Sequence, residues 1–140
     1  MSVNDDRSSV TRTFAVGEIS DSLREVYELV KRAQAAGLEA VRAGAGGADA
    51  DAASREPIDQ AGHGERYGHG LGHGVGLEVH EAPRLGKTSE DVLAVGDVVT
   101  VEPGVYLPGR FGVRIEDLVV VTEEGLRNLS GTSKDLRVAG

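Results

Sequence analysis

The 140-residue chain contains no cysteine and no long apolar run. Without cysteine it forms neither disulfides nor thiolate ligands, so any bound metal must be held by nitrogen and oxygen donors. No segment approaches the roughly 18 consecutive apolar residues that a membrane-spanning helix needs. Because the first residues also lack the apolar segment of a secretory signal, the sequence predicts a soluble, cytoplasmic protein without a membrane partner.

Positive charge is also scarce. Lysine and arginine together number 15 against 23 aspartates and glutamates, which gives a net charge of −8. A nucleic-acid partner is therefore not expected, because a phosphate backbone is bound by clustered basic side chains. The hydrophobic content of 39% argues against general disorder, and the length fits a single domain with its own core. Residues 1–10 are polar and are predicted to form a disordered tail.

Hydrophobic periodicity divides the rest of the chain into helices followed by strands. Apolar residues recur at helical spacing from Leu23 to Val41, which predicts a long amphipathic helix over 21–42. A shorter helix is predicted over 49–61, where Pro57 should kink the helix or mark its start. This order, helices first and antiparallel strands second, indicates an α+β fold. The strands are predicted at 11–16, 77–80, 97–102 and 113–122.

Three of the four histidines lie in one glycine-rich segment between Gly68 and Glu81. Glycine occupies every second position from 68 to 76, and each would cost about 1 kcal/mol in a helix. An extended backbone is therefore predicted, with His69 and His73 on one face and the glycines on the other. The spacing does not match the G-x-G-x-x-G pattern of a dinucleotide-binding loop.

Two carboxylates, Glu102 and Glu116, follow in strand-like runs. A carboxylate in an apolar strand is expensive to bury unless it is paired or binds a metal. Imidazole and carboxylate together form the ligand set of zinc, manganese, cobalt or iron in hydrolytic sites. The alternative is that the glutamates lie on solvated faces and that His69 and His73 are ordinary hydrogen-bonded histidines. Each residue taken alone favours that alternative, whereas the whole set favours a metal site.

The segment from His69 to Glu81 resembles the motif of the Xaa-Pro dipeptidase (prolidase) and Xaa-Pro aminopeptidase family of metallopeptidases. The segments Thr100-Val-Glu-Pro-Gly-Val-Tyr106 and Gly112-Val-Arg-Ile-Glu-Asp117 match the same family in the expected order, and residues 11–17 resemble the strand before its long helix. The resemblance implies a truncated pita-bread fold, in which two N-terminal helices pack on a curved antiparallel sheet. Residues 11–140 would then form a partial metallopeptidase catalytic domain.

The resemblance also implies roles for individual residues. Three of them match metal ligands, namely His73, Glu102 and Glu116. Three others match catalytic residues beside the metal centre, namely His69, His80 and Arg114. The implied cofactor is a divalent metal, with manganese expected and zinc or cobalt as alternatives. The implied substrates are short peptides with proline at the second position, hydrolysed at the bond before proline with the metal as Lewis acid.

The chain departs from the family pattern at two further ligands, which are aspartates before the long helix. Ser9 occupies the place of one, and the other would lie before residue 1. We therefore expect the second metal site to be lost and hydrolysis to be impaired, unless a homodimer mate or a complementing chain supplies the aspartates. The alternatives are a non-catalytic pita-bread module that binds peptides or proteins, and a metal-independent hydrolase of the creatinase type. The retained His73, Glu102 and Glu116 argue against the latter.

Overall fold

A computed structural model describes residues 2–5, 10–16, 21–67, 69–75, 79–107, 111–130 and 137–139. In these ranges the chain forms two α-helices, one 3-10 turn and ten strands. The helices are α1 (Asp21–Ala40) and α2 (Gly47–Gln60), and the 3-10 turn is Gly64–Arg66. The strands are β1 (Ser2–Asp5), β2 (Val10–Val16), β3 (Gly72–Val75), β4 (Val79–Leu85), β5 (Val98–Val101), β6 (Gly104–Leu107), β7 (Phe111–Arg114), β8 (Asp117–Thr122), β9 (Gly125–Asn128) and β10 (Arg137–Ala139).

The largest sheet has five antiparallel strands in the order β4-β3-β5-β8-β9. β6 and β7 form a separate antiparallel hairpin. A third sheet is centred on β2, which pairs antiparallel with β1 and parallel with β10. Two helices packed against antiparallel strands confirm the predicted α+β class. The β2–β10 pair adds a parallel pairing that the sequence did not predict.

Helix α1 confirms the long amphipathic helix predicted from periodicity. Val26, Val30 and Ala33 recur at intervals of three and four residues, and all three are buried. They form one apolar cluster with Val105 and Val113 of the β6–β7 hairpin. Burial of this face accounts for the position of α1, because helices in proteins owe most of their stability to such packing.

A second apolar cluster joins α2 to the five-stranded sheet. It contains Ala50 of α2 together with Leu71, Val99 and other buried strand residues. The Ser54 hydroxyl donates a hydrogen bond of 2.8 Å to the carbonyl of Ala33, which fixes α2 against α1. The two helices and the sheet thus hold the segment before β3 and the end of β5, where the candidate site lies.

Helix α2 begins at Gly47, two residues before the predicted start, and continues through Pro57. The expectation that Pro57 marks the start of the helix is therefore wrong. Pro57 has no N–H to donate to the carbonyl of Ala53, but its own carbonyl still accepts a 3.2 Å hydrogen bond from the Ala61 N–H. Gly47 is buried, and a Cβ there would overlap the carbonyl of Arg84, so α2 starts closer to β4 than any other residue would allow.

Glu116 lies between two strands rather than within one. The predicted single strand over 113–122 is wrong, because β7 pairs with β6 whereas β8 pairs with β5. The chain changes sheets at Ile115 and Glu116, where the Ile115 N–H donates a 3.2 Å hydrogen bond to the carbonyl of Pro103. Glu116 is therefore presented at a junction between the hairpin and the large sheet.

The polar N-terminal segment also differs from expectation. Composition predicts a disordered tail over residues 1–10, but Ser2–Asp5 form β1 and pair with β2. Pairing of backbone N–H and C=O groups does not depend on side-chain polarity, so a polar segment can still serve as an edge strand.

In the ranges given above, neither helix combines the length and the apolar character needed to cross a bilayer.

Candidate active site

His73 is held by the backbone of the large sheet. It lies on β3, and its N–H donates a 3.1 Å hydrogen bond to the hydroxyl of Thr100 on the neighbouring β5. Its imidazole Nδ1 lies 3.0 Å from the carbonyl of Gly74. Because a carbonyl can only accept, Nδ1 carries the hydrogen, and in the neutral ring Nε2 presents its lone pair. This tautomer is the one that can ligate a metal through Nε2.

Glu102 faces that nitrogen. It follows directly after β5, and its N–H donates a 2.7 Å hydrogen bond to the carbonyl of Leu71. The Glu102 Oε2 atom lies 3.9 Å from His73 Nε2, and the two side chains are 16% and 15% exposed, respectively. An imidazole nitrogen and a carboxylate oxygen thus face each other where solvent has only limited access. These are donor types that divalent cations bind.

Glu116 is more deeply placed. It is 6% exposed, and its Oε1 atom lies 3.9 Å from the guanidinium of Arg114. Among the side chains that the structure describes, no three histidines, aspartates or glutamates come close enough together to hold a metal ion. The structure therefore brings His73 and Glu102 together and places Glu116 beside Arg114. That all three converge on one cation stays a prediction.

His69 lies before β3 and not on it. The predicted extended face shared by His69 and His73 is therefore wrong in detail, because the strand begins at Gly72. Both histidines nevertheless line one cavity of about 630 Å³, together with Glu102 and the basic side chains of Arg84 and Lys87. The backbone bends at His69 and at Leu71 before the strand begins.

The His69 ring is fixed by two hydrogen bonds. Nδ1 donates to the carbonyl of Gly70 at 2.6 Å, and Nε2 accepts from the hydroxyl of Tyr106 at 2.9 Å. Tyr106 is also hydrogen-bonded to Arg114, and the charges of Glu102 and Glu116 act on it. Tyr106 thus links the histidine to Arg114 and to both glutamates. The side chain of His80, on β4, lies outside the described residues.

Burial shifts the proton equilibria of this pair in opposite directions. The pKa of His69 is lowered from 6.5, chiefly because burial disfavours the imidazolium, and the nearby Arg114 lowers it further. Burial likewise raises the pKa of the Tyr106 hydroxyl above its ordinary 10.0. At neutral pH both groups are therefore uncharged, with the proton on the tyrosine oxygen.

The lowered pKa of His69 predicts a pH-dependent stability. The unfolded chain takes up the proton at a higher pH than the folded chain, so the contribution of His69 is complete above pH 6.5 and is lost as the pH falls from there through the folded pKa. A nuclear magnetic resonance titration should give a His69 pKa below 6.5. The free energy of unfolding should fall less over that range in His69→Asn. A His69 pKa at or above the ordinary value would contradict this assignment.

Two parts of the site escaped the sequence analysis. Tyr106 received no role although it stands in a segment that matched the family, because nothing in the sequence shows that it reaches His69. The pair Asp51 and Arg55 on α2 was also missed. Acidic and basic residues four positions apart are common on exposed helix faces, so their spacing does not distinguish a buried pair from a solvated one.

Comparisons with known proteins show the family of this chain. A family profile described as metallopeptidase family M24 matches residues 3–123. The chain is 46% identical to an Xaa-Pro dipeptidase of Pyrococcus furiosus over 129 residues, which cover 92% of this chain and 37% of that protein. It is 49% identical to the uncharacterized peptidase YqhT of Bacillus subtilis over 129 residues, covering 92% and 36% respectively.

A solved structure shows the same backbone. The Xaa-Pro dipeptidase from Bacillus anthracis superposes with a TM-score of 0.90 at 50% identity, covering 93% of this chain and 37% of that one. The chain thus has the corresponding part of the pita-bread fold and spans little more than a third of the length of the relatives it matches.

Proposed function

The chain belongs to metallopeptidase family M24, and from that premise we propose that it carries the C-terminal part of a metal-dependent peptidase centre of the Xaa-Pro dipeptidase type. The observation that supports this most directly is the approach of His73 Nε2 to Glu102 Oε2, at 3.9 Å, beside a cavity wall formed by His69. The relatives are named as peptidases, and this chain covers only about a third of each of them. Peptidase activity of this chain is therefore part of the proposal.

His73, Glu102 and Glu116 supply the donor types that a divalent cation takes. In its neutral form His73 presents the lone pair of Nε2, and Glu102 faces this nitrogen. His73 lies on β3, and Glu102 directly follows β5 of the same sheet. We propose that these two residues and Glu116 hold one cation. Nitrogen and oxygen donors without sulfur suit manganese, with zinc and cobalt as alternatives. When bound, the cation supplies a Lewis acid that polarises the scissile carbonyl.

The remaining residues contact the peptide, hold a proton near it or balance charge in the site. His69 stays neutral at the cavity wall because burial lowers its pKa. Its hydrogen bond from Tyr106 allows one proton to be held between the phenol oxygen and Nε2. Arg114 balances the buried charge of Glu116. His80 is proposed to contact the substrate on the basis of the family resemblance alone.

The proposed substrates are short peptides with proline at the second position, since the Pyrococcus furiosus and Bacillus anthracis relatives are named Xaa-Pro dipeptidases. The cavity of about 630 Å³ lies within the range of small-ligand sites, roughly 300 to 1,000 Å³. We propose that hydrolysis by this chain is impaired, because Ser9 stands where the family resemblance places an aspartate ligand. A homodimer mate or a complementing chain would restore it.

Release of proline from Ala-Pro tests the function. With Mn²⁺ present, the unaltered chain should release proline at a measurable, slow rate, and chelation of the metal should abolish it. Glu102→Gln should lower the rate by about 100-fold or more, because loss of a direct ligand costs at least as much as loss of a residue supporting one.

The matched control is Glu123→Gln, which removes one carboxylate from the exposed turn before β9 and should leave the rate unchanged. Peptide binding without any proline release would favour the non-catalytic module considered from the sequence. Release that is unaffected by Glu102→Gln would contradict the proposed centre.

A further inference from the structure

Asp51 and Arg55 of α2 form an ion pair unlike those on exposed helix faces. The Arg55 Nε and Nη2 atoms lie 2.9 and 3.1 Å from the two oxygens of Asp51. The side chains are only 12% and 1% exposed. A pair this dry loses much of its hydration, so it persists only where further hydrogen bonds satisfy its remaining polar atoms.

Those further bonds go to the segment that carries His69. Asp51 Oδ1 accepts a 2.9 Å hydrogen bond from the Leu71 N–H, and Arg55 Nη2 donates a 3.1 Å hydrogen bond to the carbonyl of His69. The pair therefore grips the backbone on both sides of Gly70. These bonds hold a segment that lies outside β3, which begins only at Gly72.

The same pair supports the aromatic surroundings of His69. The Arg55 guanidinium carbon lies 4.0 Å from the centre of the Tyr67 ring, a cation–π contact. The Tyr67 ring centre lies 5.5 Å from that of His69, which lies 5.6 Å from that of Tyr106. The His69 ring is thus flanked by two tyrosines, one of which is held by Arg55.

Flexibility of the segment makes this support necessary. Glycine has the largest backbone freedom of any residue type, and the His69 ring bonds both the carbonyl of Gly70 and the hydroxyl of Tyr106. The carbonyl of Leu71 also accepts the Glu102 N–H at 2.7 Å. A shift of residues 69–71 would therefore disturb His69 and Glu102 together.

We propose that Asp51 and Arg55 are positioning residues, which clamp the backbone on both sides of Gly70 and so set the His69 imidazole against Tyr106. Their catalytic significance rests on the proposed function, whereas the positioning itself is a property of the folded chain. Arg55 holds the geometry through two bonds to Asp51 and one to the backbone, a fork that lysine cannot reproduce.

The test records the nitrogen chemical shifts of the His69 ring in Arg55→Ala and Arg55→Lys, without metal or peptide. In the unaltered chain these shifts should show one tautomer with the hydrogen on Nδ1. In Arg55→Ala they should move toward the average of two tautomers, and Arg55→Lys should restore them only in part. The control is Glu56→Ala, which breaks the exposed Glu56–Gln60 hydrogen bond on the same helix and should leave the shifts unchanged.

Unmoved His69 shifts in either folded Arg55 variant would overturn the proposal. Loss of folding in Arg55→Lys would overturn it as well, because the pair would then be structural and not positioning. If proline release is measurable, Arg55→Ala should lower kcat by about 10- to 100-fold with a smaller change in KM. The shift experiment needs no activity, so failure of the proposed function in the proline assay is recognised separately.

Discussion

Replacing Gly72 with alanine is expected to destabilise the fold by about 3 kcal/mol or more. A Cβ at this position would overlap the backbone carbonyl of Thr100 and lie 2.9 Å from its hydroxyl oxygen. Backbone atoms cannot move aside by changing rotamer, so β3 and β5 would have to separate. Urea denaturation followed by circular dichroism measures the loss as a lower transition midpoint.

Gly86→Ala is the matched control for this prediction. A Cβ at Gly86 would meet no atom within 4 Å, so the change in unfolding free energy should stay within about 0.5 kcal/mol. Equal stability of the Gly72 and Gly86 variants would show that β3 and β5 do not approach as described. The placement of His73 beside Glu102 would then fail too, because it depends on that approach.

Replacing His73 with alanine is expected to lower the affinity for a divalent metal by at least about 100-fold. In metal sites generally, substitution of a residue that merely supports a ligand already lowers the metal affinity by about 10- to 100-fold. His73 supplies one of the two donors that face each other at 3.9 Å, and its tautomer is set by the Gly74 carbonyl. Competition with a fluorescent chelator measures the metal affinity of the unaltered chain and of His73→Ala.

His63→Ala is the control for this second prediction. His63 is a partly exposed histidine whose Nδ1 atom lies 3.0 Å from Nη1 of Arg66, and it does not line the cavity that contains His73. Its replacement should leave the metal affinity unchanged. An equal loss in both variants would indicate non-specific binding to exposed imidazoles.

Periodicity was sufficient to predict the elements that carry an unambiguous pattern. Helix α1 and strand β2 lie close to their predicted limits. The break at Ile115 and Glu116 could not be predicted, because β-forming apolar residues stand on both sides of it, Val113 and Ile115 before and Leu118 and Val119 after. The break is set by pairing with two different sheets, which is a long-range property that no local pattern records.

The candidate site was predicted in part for a similar reason. Residue chemistry and the family resemblance selected His73 and Glu102, which the structure places face to face, although their role as ligands is still a prediction. Tyr106 and the Asp51–Arg55 pair act through contacts across 37 and 14 residues. Such contacts depend on the backbone conformation of the segment before β3. The sequence does not determine that conformation, because the glycines of the segment allow many of them.

The central claim is that His73 and Glu102, with Glu116, form a site for one divalent cation. Calorimetric titration of the metal-free chain with Mn²⁺ tests it most directly. We predict binding of close to one ion per chain, lost in His73→Ala and retained in His63→Ala. An unaltered chain that takes up no Mn²⁺, Zn²⁺ or Co²⁺ at millimolar concentration would contradict the claim.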